Sequence, residues 1–423
     1  MDKITITPCP LSGSVKIPPS KSYAHRAIIS AFLSGGDCKI ENIKLSDDIS
    51  ATLSCMKALG GEYIYDPQSL TLNISRKTKP LTKKVRLDCL ESGSTLRFFI
   101  PIALSLGTEF EFSGKDRLLS RPLDPYFKIF DHLGIEYHQT ENSLLISGSL
   151  KPGKFVIDGS VSSQFVTGLL FALPLLDGTS EIAIDGNLSS KGYIDITLDV
   201  LKKFGIKIKN DNYKTFIIEG NQKYKAQNYV VEGDFSQSAF FLVAGALGSD
   251  ITVSGLNPDS LQGDKKILDI IKETGAKIEQ VSKSDFSAIC TSLMHGITID
   301  ADEVPDLVPV LAVLFAFCKG ESRITNASRL RLKESDRLST TCDVLKKMGA
   351  DIEEGEDFLV IKGKQTLKGA EVSAHNDHRI AMAAAIAACR CEGDVIIDGA
   401  EKAVSKSYPD FFEDYNNLGG NAR

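Results

Sequence analysis

The sequence predicts an α/β protein made of six copies of one unit of about 70 residues, divided between two domains of three units each. Two series of glycines carry this expectation. The first closes an apolar helix ahead of a β-like alternation at Gly36, Gly107, Gly178, Gly248, Gly320 and Gly393, with spacings of 71, 71, 70, 72 and 73 residues. The second closes a different kind of helix at Gly60, Gly134, Gly205, Gly275, Gly349 and Gly419, with spacings of 74, 71, 70, 74 and 70. Two independent series that share one period in six copies are hard to produce by chance.

Within each unit the elements follow in a fixed order. The first helix is apolar nearly all round, as in Phe165 to Leu176, Ser238 to Leu247 and Leu307 to Cys318, so it belongs in a core. Its glycine suits the left-handed position that ends a helix. An alternating strand comes next, as in G-T-E-F-E-F-S-G from Gly107. The second helix is amphipathic, with D-V-L-K-K-F-G ending at Gly205 and D-V-L-K-K-M-G ending at Gly349. Its Lys-rich face meets water. Behind it come paired strands with polar turns, such as Ile135–Tyr137 with Ser143–Ile146, and Ile352–Glu354 with Phe358–Ile361. A break near Tyr224 to Tyr229 splits the chain about evenly, and the stiff Pro18-Pro19 pair marks the other expected hinge strand.

Composition narrows the function. The chain has 423 residues, 42% hydrophobic and 25% charged, with a formal net charge of −6. That balance argues against a general nucleic-acid or acidic-membrane surface, so any bound anion needs a local cluster of cations. Met1 to Pro10 has no basic-then-apolar signal pattern, and the longest apolar stretch, Val308 to Cys318, is too short to span a bilayer. The nine cysteines are scattered, which reads as reduced thiols in a cytoplasm. With six scattered histidines and neither C-x-x-C nor H-x-x-x-H, no metal site is expected.

Polar and charged residues crowd the helix starts. Counting back fourteen residues from the first series reaches Ser22, Gly93, Gln164, Asp234, Asp306 and Arg379. Counting back twelve or thirteen from the second reaches Asp47/Asp48, Arg121/Pro122, Gly192/Tyr193, Gln262/Gly263, Asp336/Arg337 and Lys406/Ser407. A cation at a helix N-terminus opposes the helix dipole, and a bound anion removes the conflict. P-P-S-K-S-Y-A-H-R, Pro18 to Arg26, sets Ser22 and Arg26 on one helix face, although a capped surface helix would look alike. Gly93 in E-S-G-S-T-L-R suits either a close-approaching ligand or a tight turn. V-S-S-Q-F, Val161 to Phe165, serves capping or phosphate binding equally. R-L-R-L-K-E-S-D-R, Arg329 to Arg337, reads as a solvated charge ladder or as a ligand site, and H-N-D-H-R, His375 to Arg379, sets an Arg just inside a helix. Asp306 alone reads as an N-cap. Lys21, Arg26, Arg121, Lys333, Arg337, Arg379 and Lys406 together suit two polyanions side by side, with Asp306 and Glu334 as an acid/base pair in their field.

These segments together resemble the 5-enolpyruvylshikimate-3-phosphate synthase family, from P-P-S-K-S-Y-A-H-R to S-K-S-Y-P-D at Ser405 to Asp410. The combination of S-K-S-x-x-x-R, S-S-Q-F, K-E-S-D-R and N-D-H-R is highly specific. The resemblance implies a two-domain inside-out α/β barrel of six βαβαββ repeats, three per domain, with helix N-termini facing the interdomain cleft. One domain would be discontinuous, residues 1–19 plus 227–423, and the other would be residues 20–226. It implies a shikimate-pathway transferase that needs no cofactor or metal and acts, as a cytoplasmic monomer, on two small molecules. Shikimate 3-phosphate would be held by Lys21, Ser22, Arg26, Ser162, Ser163, Gln164, Ser190, Tyr193, Asp306 and Lys333. Phosphoenolpyruvate would be held by Lys21, Gly93, Arg121, Gln164, Arg337, Arg379 and Lys406. Asp306 would be the base toward the 5-hydroxyl, with Glu334 and Lys21 sharing proton delivery.

Two positions depart from the family pattern. Glu91 and Arg329 each stand where Asn is commoner. A carboxylate at Glu91 repels a trianionic ligand unless a cation offsets it, so no ligand contact and no response to glyphosate is inferred from it. The sister UDP-N-acetylglucosamine enolpyruvyl transferases would carry Lys-Asn at Lys21-Ser22 and a loop cysteine, and Gly107 to Arg121 holds none. A silent phosphometabolite binder would lack the acid/base residues.

Overall fold

The computed structural model describes residues 2–76, 84–107 and 109–423. Its contacts divide the chain into two compact units. A middle unit runs Lys21–Val231, and a terminal unit joins Met1–Ser20 to Glu232–Arg423. Each unit has its own hydrophobic core.

In the middle unit three four-stranded sheets share one plan: a parallel pair, then two antiparallel strands. Lys84–Asp88 pairs parallel with Glu109–Ser113, which continues antiparallel into Ser143–Ser147 and Glu136–Gln139. Lys154–Asp158, Ser180–Asp185, Thr215–Ile218 and Lys209–Asp211 repeat the pattern. In the remaining sheet the parallel partner of Cys38–Glu41 is Tyr229–Val230, from the far end of the unit. That pairing keeps the chain in this unit up to Val231.

The terminal unit follows the same plan with the chain ends folded in. Ser12–Lys16 is the parallel partner of Asp250–Ser254, and Thr298–Asp300 that of Glu321–Thr325. The sixth repeat departs from the expected βαβαββ, because the antiparallel strand beside Val395–Asp398 comes from the first residues and not from its own unit. Lys3–Ile6 takes that place, antiparallel to Val395–Asp398, and the last residues bond to it through Thr5 and Arg423.

The expected helices form the cores. Lys21–Ser34, Gly93–Leu106 and Ser163–Ala172 in one unit, and Phe235–Ala246, Val308–Phe315 and His378–Ala388 in the other, are buried along nearly their whole lengths. All six glycines of the second series hold φ between +66° and +93°, which an L side chain adopts only with strain. Four of the first series also hold positive φ, between +69° and +109°, but Gly36 and Gly178 do not. The cap beside Gly36 falls on its neighbour Gly35, and ahead of Gly178 the helix leaves through the 3-10 turn Leu173–Leu175, where Pro174 ends regular bonding.

Candidate functional site

The middle unit gathers cations at and beside its helix starts. Lys21 opens the helix Lys21–Ser34, and its Nζ lies 2.8 Å from Oδ2 of Asp48, in the first turn of Asp47–Ala58. Arg26, one turn on, is 3% exposed. Its guanidinium donates to Thr197 Oγ1 at 2.8 Å, to the Ser22 carbonyl at 2.8 Å and to the Tyr193 carbonyl at 3.1 Å. Every one of those acceptors is neutral. Burial lowers this guanidinium to about 10, so it stays charged at neutral pH with no carboxylate against it among the described residues. Such a cation favours an anionic ligand.

Gly93 begins its helix behind the capping hydroxyl of Ser92. A Cβ there would come within 2.9 Å of Arg121 Nη1 and 3.1 Å of Arg97 Nη1, so the glycine gives two guanidiniums their space. Arg97 donates to Gln164 Oε1 at 2.7 Å, and Gln164 Nε2 donates to Ser94 Oγ at 2.9 Å. Ser162 caps the helix bearing Ser163 and Gln164, accepting from the Gln164 amide. Ser190 precedes the helix Lys191–Lys203 at φ 55° and ψ 52°, and Tyr193 lies in that helix's first turn. A non-glycine residue in this region stores strain that a functional site tolerates more readily than a plain turn. Arg121 is buried but lies three residues ahead of its helix, Asp124–Leu133, rather than at the start the repeat predicted.

In the terminal unit the expected residues converge on one ion network. Arg337, 1% exposed, reaches Asp306 Oδ1 at 3.0 Å, Glu334 Oε2 at 2.6 Å and Asp377 Oδ2 at 2.9 Å. Burial works against its charge, but Asp377, Glu334 and Asp306 outweigh it and raise its pKa. Arg379 Nη2 is 3.0 Å from Asp306 Oδ2, and its Nη1 donates to the Asp306 carbonyl. Lys333 Nζ stands 3.6 Å from Asp306 Oδ1, with its own pKa lowered by burial against the pull of that carboxylate. Both oxygens of Asp306 therefore face guanidinium. Lys406 Nζ donates to the Asn376 carbonyl at 2.7 Å, and His375 and Asn376 both hold positive φ just before Asp377.

Several local expectations need correction. The N-cap of Val308–Phe315 is Leu307, so the bland role for Asp306 fails and its carboxyl serves the ion network instead. Lys333 closes the 3-10 turn Ser328–Leu332, outside the helix that Arg337 begins, because Asp336 caps that helix through the Ser339 amide. Lys406 lies between two short helices, Ala400–Val404 and Phe411–Asn417, where Pro409 stops continuation. Arg329 is tied to Asp302, to its carboxylate at 3.0 Å and its carbonyl at 2.8 Å. Sequence reasoning reached Asp48 by the repeat count and Arg97 at the end of E-S-G-S-T-L-R, but gave neither of them, nor Asp377, a role at the site. The available signal was that buried cations require partners.

No helix among the described residues is long and apolar enough to cross a membrane, and none of their His, Cys, Asp and Glu form a group of three that could hold a metal ion. Six βα repeats with guanidinium groups and hydroxyls gathered at helix starts define an α/β protein suited to small phosphorylated anions. A family model described as EPSP synthase (3-phosphoshikimate 1-carboxyvinyltransferase) matches residues 6–415. Relatives named 3-phosphoshikimate 1-carboxyvinyltransferase are 53% identical in Clostridium novyi and 52% identical in Clostridium acetobutylicum, each covering 99% of this chain and 98% of its own length. The chain belongs to the EPSP synthase family. A solved EPSP synthase from Acinetobacter baumannii aligns with a TM-score of 0.81 at 25% identity, covering 100% of this chain and 99% of its own. The enolpyruvyl transferase NikO from Streptomyces tendae shares the fold, with a TM-score of 0.81 at 18% identity over 100% and 98% of the two chains.

Proposed function

We propose that this chain transfers the enolpyruvyl group of phosphoenolpyruvate to the 5-hydroxyl of shikimate 3-phosphate, releasing phosphate, and so serves aromatic biosynthesis. The observation that carries the chemistry is Asp306, a carboxylate gripped on both oxygens by Arg337 and Arg379. Asp306 takes the proton of the attacking 5-hydroxyl as its oxygen bonds to the central carbon of phosphoenolpyruvate. The methylene carbon is protonated in the same addition, with Glu334 and Lys21 as the proton donors. Phosphate then leaves and the methyl group gives up a proton, which restores the double bond.

Shikimate 3-phosphate draws on Lys21, Ser22, Arg26, Ser162, Ser163, Gln164, Ser190 and Tyr193, with Asp306 and Lys333 at its ring hydroxyls. Arg26 supports this reading, since its three acceptors are neutral and leave its charge to the ligand. Phosphoenolpyruvate draws on Lys21, Gly93, Arg121, Gln164, Arg337, Arg379 and Lys406, where a planar guanidinium matches its carboxylate. The protein acts as a monomer in the cytoplasm, and its nine cysteines, all free thiols, support the reducing compartment alone.

The test is inorganic phosphate release from the purified protein. Release is expected only with both substrates present, and Asp306→Ala should keep substrate binding while turnover falls by roughly two to four orders of magnitude. Release with UDP-N-acetylglucosamine in place of the shikimate ester would transfer the assignment to the sister enzymes. Near-normal turnover of the alanine variant would remove Asp306 from the mechanism.

A further inference from the structure

Four buried side chains from three helix starts of the middle unit form one hydrogen-bonded chain. His25 Nδ1 lies 2.7 Å from Thr52 Oγ1, and Thr52 Oγ1 lies 2.8 Å from Thr95 Oγ1. Thr95 Oγ1 donates to Ser92 Oγ at 2.8 Å, and the same serine oxygen accepts the Thr95 amide at 3.2 Å. His25, Thr52, Thr95 and Ser92 are each no more than 1% exposed.

Proton counting gives the chain a direction. Each hydroxyl has one proton to donate. The Thr95 proton goes to Ser92, so Thr95 accepts from Thr52. The Thr52 proton is then spent, so Thr52 accepts from His25. His25 is therefore the Nδ1–H imidazole, and its Nε2 carries a bare lone pair. Nε2 is indeed buried with no partner among the described residues, and the ring meets Phe98 edge-on at 6.4 Å. Burial, with the charges of Lys21 and Arg26 added, holds this imidazole neutral far below its usual range.

At the other end, Ser92 Oγ accepts twice, so its own proton is the one donor of the chain with no acceptor in the protein among the described residues. Ser92 is also the N-cap of the helix that begins at Gly93, where Arg121 and Arg97 line the space. A hydroxyl chain alone could reverse. The imidazole at its head opposes this, because reversal would move its proton to Nε2, a buried donor with no acceptor among the described residues.

We propose that His25 is a positioning residue that sets the direction of this chain, and that the Ser92 hydroxyl thereby donates to an oxyanion oxygen of phosphoenolpyruvate at the Gly93 helix start. The inference rests on the phosphoenolpyruvate assignment made above. It adds Ser92 as a ligand, with His25, Thr52 and Thr95 acting through it.

Two measurements test it. In protein labelled with ¹⁵N-histidine, the resonance that disappears in His25→Asn should report a neutral, Nδ1-protonated ring from pH 8 down to pH 6. In steady-state assays Thr52→Val, which keeps shape and removes the hydroxyl, should raise the KM for phosphoenolpyruvate about tenfold with kcat within about threefold of the parent. Thr52→Ser should restore KM to about twofold of the parent. Of the two amides, His25→Asn places its N–H where Nδ1 stood and should outperform His25→Gln. A ring protonated on Nε2, a parent-like KM in Thr52→Val, or an asparagine variant no better than glutamine would each overturn the proposal. A parent protein that releases no phosphate would sink the functional reading instead, and the ring tautomer would still decide the direction of the chain.

Discussion

Burial lifts the Asp264 carboxyl from the ordinary carboxylate range to about 7, with the charge of Asp306 adding to the shift and Arg379 opposing it. One of its oxygens accepts from Ser236, and the other has no partner among the described residues. The folded protein therefore keeps a proton that the unfolded chain releases near pH 4. Between about pH 4 and pH 7 the folded state binds more protons, so stability falls as pH rises through that window and levels off above it. Asp264→Asn, which cannot ionise, should be more stable than the parent at pH 8 by roughly 2–4 kcal/mol, with the difference closing toward pH 4. Denaturant midpoints at the two pH values check this, and a variant weakened at pH 8 would mean that the carboxylate is ionised and paired. Arg26 shows the opposite outcome of burial. Its guanidinium falls only to about 10, so the charge survives and is left for a ligand.

At the scale of the element, the helix Gly93–Leu106 shows how one sequence irregularity is absorbed by its neighbours. Pro101 has no amide hydrogen to give the Arg97 carbonyl one turn back. The Tyr126 hydroxyl, on the helix Asp124–Leu133, lies 2.7 Å from that carbonyl and 3.0 Å from the carbonyl of Phe165. It thus ties the helices that carry Arg97 and Gln164. Their approach is possible because Gly168 has no side chain. A Cβ there would lie 2.3 Å from the Tyr126 hydroxyl and 2.4 Å from the Arg97 carbonyl. Gly168→Ala must push the two helices apart, and we expect a loss of about 2–3 kcal/mol in urea unfolding together with weaker phosphoenolpyruvate binding. Parent-like stability would show that the contact relaxes freely.

The whole molecule is organised by chain ends that complete sheets they do not neighbour in sequence. Lys3–Ile6 supplies the antiparallel strand of the sixth repeat, and Ile4 and Ile6 are buried in the terminal core. Removing residues 1–7 takes away two buried isoleucines, a loss of about 3–6 kcal/mol by area. It also exposes the edge of Val395–Asp398. Amide exchange at Val395–Asp398 should accelerate by at least about a hundredfold, while Cys38–Glu41 in the middle unit keeps the parent rate. Unchanged exchange at Val395–Asp398 would mean that the N-terminal strand contributes little.

The six-fold period, the two kinds of helix, the second glycine series and the family were legible in residue order alone, because helix amphipathicity, left-handed caps and short motifs are set by residues close together in the chain. It also picked out the helix-start cations, although Arg121 and Lys406 proved to sit beside helices rather than at their first residues. What those cations touch is set by long-range packing. Asp306 meets Arg379 across 73 residues and Arg97 meets Gln164 across 67, while Asp377 stands 40 residues from Arg337. Such partners are chosen by the packing of separate repeats, where a buried charge is tolerated only beside a matching one. Local pattern carries no record of that choice.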